Sequence, residues 1–307
     1  MTRVTVIGEA LLDVVRRADG SVHAAPGGSA ANVAVTLGRQ SVGVRLLTCL
    51  GDDEAGETVR AWLADSCVAV SASDGERTST AVATLDASGS ATYEFDLRWD
   101  PGPLDVAGAD IVHLGSVAAL LGPGADEVLS AARAARAHAL LTYDPNVRPA
   151  LLGEPARHLA RIEELVRLAD VVKVSDEDLR WMYPAEEALQ VAARWQRGGP
   201  ALVVVTRGGD GAEAVTAGGV RHVAGSPVTV VDTVGAGDTF MGTLIAGLVA
   251  RRFRADARSR LGAVELVEVD AILAASARAA AVTVSRPGAD PPWRSELAPA
   301  ESRLDRP

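Results

Sequence analysis

The sequence predicts an α/β fold: a three-layer α/β/α sandwich with a mostly parallel central sheet and a small β lid. Three observations carry that prediction. From about residue 110, strand-length apolar runs alternate with helices of ten or so residues, the rhythm of βαβ units. Val203-Val204-Val205 is a continuous apolar run, as a strand covered on both faces requires. Thr80–Leu97 instead alternates residue types around the turn-like Asp86-Ala87-Ser88-Gly89, which reads as a hairpin with one exposed face.

The elements follow in order. Val4–Gly8 is a short buried strand. Gly27-Gly28-Ser29 opens a helix whose small apolar positions Ala30, Ala34 and Leu37 recur at helical spacing. Val44–Leu50 is a strand ended by Gly51-Asp52-Asp53, and Ala55–Leu63 is helical by pattern. After the hairpin come strand Asp110–Leu114, helix Ala125–Ala137, strand Leu140–Tyr143, helix Ala156–Leu168 and strand Val171–Val174. Asp176–Met182 and Ala185–Gln196 are helices, and Leu202–Thr206 is the apolar strand noted above. Ala212–Thr216 and Val220–Ala224 form a second hairpin across Gly218-Gly219. Helices Gly237–Val249 and Leu266–Val284 follow, and the proline- and charge-rich tail Pro291–Pro307 is expected on the surface. With no repeat and no low-complexity linker, residues 1–307 read as a single domain.

Composition excludes several classes. Lys plus Arg number 30 against 40 Asp plus Glu, a net charge of −10 with no block of like charges, which disfavours a nucleic-acid binder. No apolar run reaches the roughly 18–20 residues needed to span a bilayer. Glu9 and Asp13 interrupt any secretory apolar region, so a cytoplasmic protein is expected. The only cysteines, Cys49 and Cys67, read as buried free thiols of a reducing compartment. Lys173 is the only lysine, a bias in keeping with base composition; any lysine-dependent chemistry has that one candidate. The five histidines lack metal-ligand spacing, and there is no Walker-type loop, dinucleotide fingerprint or Gly-x-Ser-x-Gly elbow.

Five segments can carry chemistry. The first is Asp232-Thr233-Val234-Gly235-Ala236-Gly237-Asp238, directly before an apolar helix that begins near Asp238. Small residues let backbone amides approach an anion, and the helix N-terminus adds partial positive charge. Asp238 suits either an N-cap or a general base beside a phosphate. In Gly27-Gly28-Ser29-Ala30-Ala31-Asn32, paired glycines admit a ligand to the backbone, and Asn32 offers a donor and an acceptor to sugar hydroxyls or simply sits on a helix surface. Asp13, in Glu9-Ala10-Leu11-Leu12-Asp13 after the first strand, reads as a hydroxyl acceptor or a solvated loop carboxylate. Thr206-Arg207-Gly208-Gly209-Asp210-Gly211 is a phosphate cradle or a turn into the next strand. Tyr143-Asp144-Pro145-Asn146-Val147-Arg148 is a turn whose Arg148 can clamp a phosphoryl group.

Together these residues resemble the ribokinase-like, or pfkB, carbohydrate kinases. Gly27–Gly56 is similar to the first family signature and Asp232–Gly247 to the second, in the right order, and the likeness runs to about Trp293. The resemblance implies transfer of the ATP γ-phosphoryl to a sugar hydroxyl, with Asp238 as base and the amides of Gly235, Ala236 and Gly237 facing the transferred charge. Asp13, Gly27, Gly28 and Asn32 would hold the sugar; Thr206, Gly208, Gly211 and Ser175 would line the nucleotide site, with Mg²⁺ accompanying ATP. The family's Asn-x-x-Glu is replaced by Ser175-Asp176-Glu177-Asp178, which leaves Asp178, with Glu177 as rival, linked to Mg²⁺. Asp232 and Gly288, in Ser285-Arg286-Pro287-Gly288-Ala289, resemble a K⁺ site.

The Glu9–Asp13 and Asp144–Pro149 motifs look most like fructokinases and 2-keto-3-deoxygluconate kinases, which puts a neutral ketohexose first. An acidic keto-sugar, for which Arg98 and Arg148 would be the cationic partners, ribose or a nucleoside are the rivals, and a non-catalytic sugar- or nucleotide-binding regulator is the alternative from another class. A lid from roughly 10–24 and 77–100 is expected to close over the sugar, with a homodimer through the lid as a possible partner arrangement.

Overall fold

The computed structural model describes residues 3–86, 91–255, 260–261 and 266–297. β1 (Arg3–Ile7) lies near the middle of the sheet. It pairs in parallel with β4 (Gly43–Gly51) on one side and β8 (Ile111–Gly115) on the other, so that Val6 stands opposite both Leu46 and His113. β5 (Val68–Gly75) extends the β4 side in parallel, and β9 (Leu140–Asp144), β10 (Val171–Ser175) and β11 (Leu202–Thr206) extend the β8 side in parallel. β12 (Ala212–Thr216) and β13 (Gly219–Val223) then add antiparallel. The order among the described residues is β13-β12-β11-β10-β9-β8-β1-β4-β5.

Alternate side chains of these strands feed two separate cores, one on each face. Ile7, Leu114, Leu141, Tyr143, Val172 and Val203 pack beneath α3 (Gly124–Ala135), α5 (Leu159–Leu168) and α7 (Ala188–Gly198). Val6, Leu46, Ile111, Leu140, Val171 and Val204 pack beneath α1 (Ser29–Arg39), α2 (Glu54–Asp65), α8 (Ala236–Ala250) and α9 (Leu266–Val284). Three short helices, α4 (Pro149–Leu152), α6 (Asp176–Met182) and α10 (Arg294–Leu297), complete the set used below. The three-layer expectation therefore holds, and two apolar faces are what a strand with no polar side needs.

The lid is a separate four-stranded sheet in the order β3-β2-β6-β7. The hairpin β6 (Ser79–Leu85) and β7 (Ala91–Asp96) is where its alternation placed it; of the expected turn, Asp86 is described and Ala87, Ser88 and Gly89 lie outside the described residues. β2 (Leu11–Arg16) runs parallel to β6 and antiparallel to β3 (Val22–Gly27). The lid thus reaches Gly27 rather than ending near residue 24. Its second strand runs into the glycine pair that opens α1.

Two surface expectations are corrected. Pro291 and Pro292, expected at the surface, are buried. The Arg39 guanidinium donates to Asp290 Oδ1 and to the Pro291 carbonyl and lies 5.3 Å from the Trp293 ring centroid, which fastens this segment to the end of α1. Cys49 is buried as expected, but Cys67 is exposed, at the left-handed turn after α2 (φ 61°); both are free thiols. Among the described residues, no helix is long and apolar enough to cross a membrane.

Candidate active site

The site lies where the parallel strands end. β1 delivers Glu9, β9 delivers Asp144 and Asn146, β10 delivers Ser175, and β11 delivers Thr206, a crossing-point arrangement typical of ligand sites in parallel sheets. The N-termini of α1 and α8 meet there.

Asp238 is the centre. The helix starts earlier than its sequence pattern suggests: Gly235 is the N-cap residue and makes no side-chain cap, so Asp238 is the third residue of α8 and does not cap it. Its carboxylate is 5% exposed. Ser29 Oγ donates to Oδ1 at 2.7 Å, Asn146 Nδ2 donates to the same oxygen at 3.1 Å, and Asn32 Nδ2 donates to Oδ2 at 2.8 Å. Ser29 and Asn32 are three residues apart on one face of α1, which is why both reach the same carboxylate. Asn146 sits at φ 36°, a conformation Asn tolerates, and also donates to Ser29 Oγ at 2.7 Å. Asn32 Oδ1 is buried without a hydrogen-bond partner, an acceptor left open beside the Asp238 carboxylate.

Gly235 adopts φ 76° and turns the chain into the helix. The amides of Gly235, Gly237 and Asp238 make no hydrogen bond among the described residues, so the first turn presents free donors to an anion. Ala236 differs: its N–H is turned back on the Thr233 carbonyl at 3.3 Å. Asp232 holds the preceding loop. It accepts from Val234 N at 3.0 Å and from Gly288 N at 2.8 Å, which brings the two residues of the expected cation site together.

Of the residues expected to hold the sugar, Asp13 is half-buried on β2 and pairs across the lid with Ala25. Burial raises its carboxyl to about 6, against the pull of the Arg148 charge. A Cβ on Gly27 would lie 2.1 Å from Asp13 Oδ2, so this glycine makes the room the carboxylate occupies. Gly28, at φ 104°, lies against the Glu9 carbonyl. Glu9 itself was not singled out from sequence. It is buried, accepts from Ser29 N at 3.1 Å, and lines a small cleft with Arg98, Trp99 and Ala118. Burial raises its carboxyl, offset in part by hydrogen bonds around it, the Ser116 hydroxyl and Arg148.

The two arginines do not reach in as free clamps. Arg98 is exposed and sits 3.3 Å from Asp96. Arg148 is exposed and folds back on its own loop, donating to Asn146 Oδ1 at 2.6 Å. That bond fixes the Asn146 amide with Nδ2 toward Ser29 and Asp238.

The residues expected to line the nucleotide site gather at the ends of β10 and β11. Gly208 is exposed with open space around it, in the turn that follows Thr206. Gly211 is different: a Cβ there would meet the Val223 carbonyl at 2.1 Å, so its role is the close packing of β13. Ser175 and Asp178 form a capping box on α6, with Ser175 Oγ accepting from Asp178 N at 2.9 Å. Asp178 also accepts from Val147 N at 3.1 Å, tying α6 to the loop that carries Asn146. Glu177, the rival, is exposed. Among the described residues, no group of three His, Cys, Asp or Glu side chains is placed to hold a metal.

A buried carboxylate beside free helix-terminal amides, next to a four-stranded lid, is the arrangement expected of a sugar kinase. The chain belongs to the pfkB family of carbohydrate kinases, whose family profile matches residues 1–296. It is 34% identical to a fructokinase of Klebsiella pneumoniae over 260 residues, 81% of this chain and 85% of that one. The fold is similar to that of an ATP-bound fructokinase of Xylella fastidiosa, with TM-score 0.84, 25% identity and 96% of each chain covered. It is also similar to a double-mutant fructokinase of Vibrio cholerae O395 in a fructose-, ADP- and potassium-bound form, with TM-score 0.80, 26% identity and 98% and 97% covered.

Proposed function

We propose that the protein transfers the γ-phosphoryl of ATP to a hydroxyl of a neutral ketohexose, fructose first. The observation that carries this is Asp238, held by Ser29, Asn32 and Asn146 beside the free amides of Gly237 and Asp238. In the transfer the sugar oxygen bonds to the γ-phosphorus, its proton passes to the Asp238 carboxylate, and ADP leaves. The α8 amides face the charge on the transferred group, the main contribution an enzyme makes to phosphoryl transfer.

The neutral acceptor is favoured by charge. Glu9 lines a small cleft beside the lid, Asp13 lies on the lid, and Arg98, which lines the same cleft, is paired with Asp96. The relatives named above point the same way. Mg²⁺ would arrive on the ATP phosphates, since such ions need few protein ligands, and supply charge neutralisation there. Asp178, buried at the start of α6, is the carboxylate that would hold it. Asp232, with no cation paired to it among the described residues and the Gly288 loop beside it, fits a monovalent ion.

The test is ADP release with Mg-ATP and K⁺ across fructose, 2-keto-3-deoxygluconate, ribose, glucose and adenosine. Fastest turnover on fructose is expected; turnover confined to the acidic sugar would overturn the neutral reading, and none on any acceptor would overturn the kinase reading for this set.

Asp13 gives a pH prediction. Ionised, it accepts hydrogen bonds from sugar hydroxyls; protonated, it loses acceptor capacity. With its carboxyl at about 6, sugar affinity measured by calorimetry without nucleotide should fall as pH drops through 6 and level off above it. Asp13→Asn should weaken binding and flatten that step. An unchanged step in the variant would assign the titration elsewhere.

A further inference from the structure

Lys173 is the only lysine of the chain, and it is 3% exposed. It projects from β10 toward α8. Its Nζ donates to Asp144 Oδ2 at 2.9 Å. A Cβ on Gly237 would lie 2.9 Å from the same Nζ, so the ammonium is seated against the first turn of α8, one residue before the base. An arginine fork is too bulky for that seat; a compact point charge fits it.

The surrounding charges are three carboxylates, Asp144 at the end of β9, Asp178 in α6 and Asp238 in α8. Burial alone would lower the ammonium's pKa, but these three outweigh it and hold it above its usual value. The other titratable group facing it is His113 on β8. His113 Nδ1 is 3.0 Å from Thr142 Oγ1, and burial, with the Lys173 charge, lowers its pKa to about 3, so it is neutral. Asp144 Oδ1 has no hydrogen-bond partner, which leaves Lys173 as the partner on which that buried carboxylate depends.

We propose that Lys173 is the charge-positioning residue of the transfer site: seated beneath Gly237, its ammonium offsets the carboxylates of Asp144, Asp178 and Asp238 as the negatively charged phosphoryl group approaches the first turn of α8. This rests on the reading of Asp238 as base and of the α8 N-terminus as anion site. It assigns the ion pair with Asp144 a role beyond holding two strands together.

The experiment compares Lys173→Met with the double variant Lys173→Met/Asp144→Asn, each on the acceptor that the wild-type protein turns over fastest. A wrong sugar therefore leaves this comparison intact, while the kinase reading stands or falls on the wild-type assay alone. Lys173→Met should lower kcat by about a hundredfold, as loss of one electrostatic stabiliser does, with the sugar KM little changed. The single variant leaves Asp144 buried and unpaired and so loses melting temperature; the double variant removes both charges and should regain it. The double variant is expected to keep a kcat below that of the wild type. Full recovery of kcat in the double variant would show that Lys173 only pairs Asp144, and would overturn the proposal; so would a Lys173→Met protein with wild-type kcat. If the single variant does not fold, the double variant decides.

Discussion

Asp238→Asn is expected to lower kcat by about a thousandfold, within the usual range for loss of a general base, while the KM for ATP changes little. The substitution is sterically neutral, and its hydrogen bonds can be re-formed. An amide nitrogen placed at Oδ2 would meet the Asn32 Nδ2 donor now 2.8 Å away. Asn32 can resolve that conflict by turning its own amide, because its Oδ1 has no partner to lose. Ser29 and Asn146 continue to donate to the oxygen that remains. Folding should therefore survive, with a melting temperature close to that of the wild type, and the loss will be chemical. Steady-state kinetics with thermal melting checks both halves. Wild-type kcat in the variant would remove Asp238 from the reaction.

Gly235→Ala is expected to lower kcat/KM by about a hundredfold, comparable to removing an oxyanion donor. Two costs combine. At φ 76° an alanine occupies the left-handed region, which costs about 1–2 kcal/mol. Its Cβ would also stand 2.6 Å from Ala289 Cβ, so the Ser285–Ala289 loop must shift. That loop is fastened to Asp232 through the Gly288 amide, and movement there disturbs the cation site and the helix start together. Sugar binding without nucleotide should remain near wild type, since α1 and the lid are untouched. A parallel loss of sugar affinity would mean that the damage had spread through the fold, and unchanged kcat/KM would place the anion site away from α8.

The repeating βα rhythm was readable because the buried strands are mostly apolar, without a break at Leu202–Val205, and the helices between them are long enough to show their period. Strands β2, β3 and β5 were not individually readable. β2 carries Asp13 and Arg16, β3 ends in Pro-Gly, and β5 is an edge strand rich in Ser, so none has the uninterrupted apolar signal of a central strand. In the site, Asp238 and Asn32 were visible from short motifs with a fixed chemical logic. Their partnership was not, because Ser29 and Asn146 lie 209 and 92 residues from Asp238 and meet it only once the sheet order is known. Lys173 was visible only as a compositional oddity; its contact with Gly237 depends on how α8 packs over β10. Glu9 belonged to a motif that was read, but nothing in its spacing separates a cleft carboxylate from a loop one.

The join between lid and body has a mechanical consequence. β3 ends at Gly27 and α1 begins at Ser29, so the lid and the hydroxyl that donates to Asp238 are joined through the single residue Gly28. Any displacement of the lid about Gly28 is passed directly to Ser29 and, three residues on, to Asn32, the two α1 side chains that hold the Asp238 carboxylate. The aim of that carboxylate and the position of the cover are thereby geared to each other.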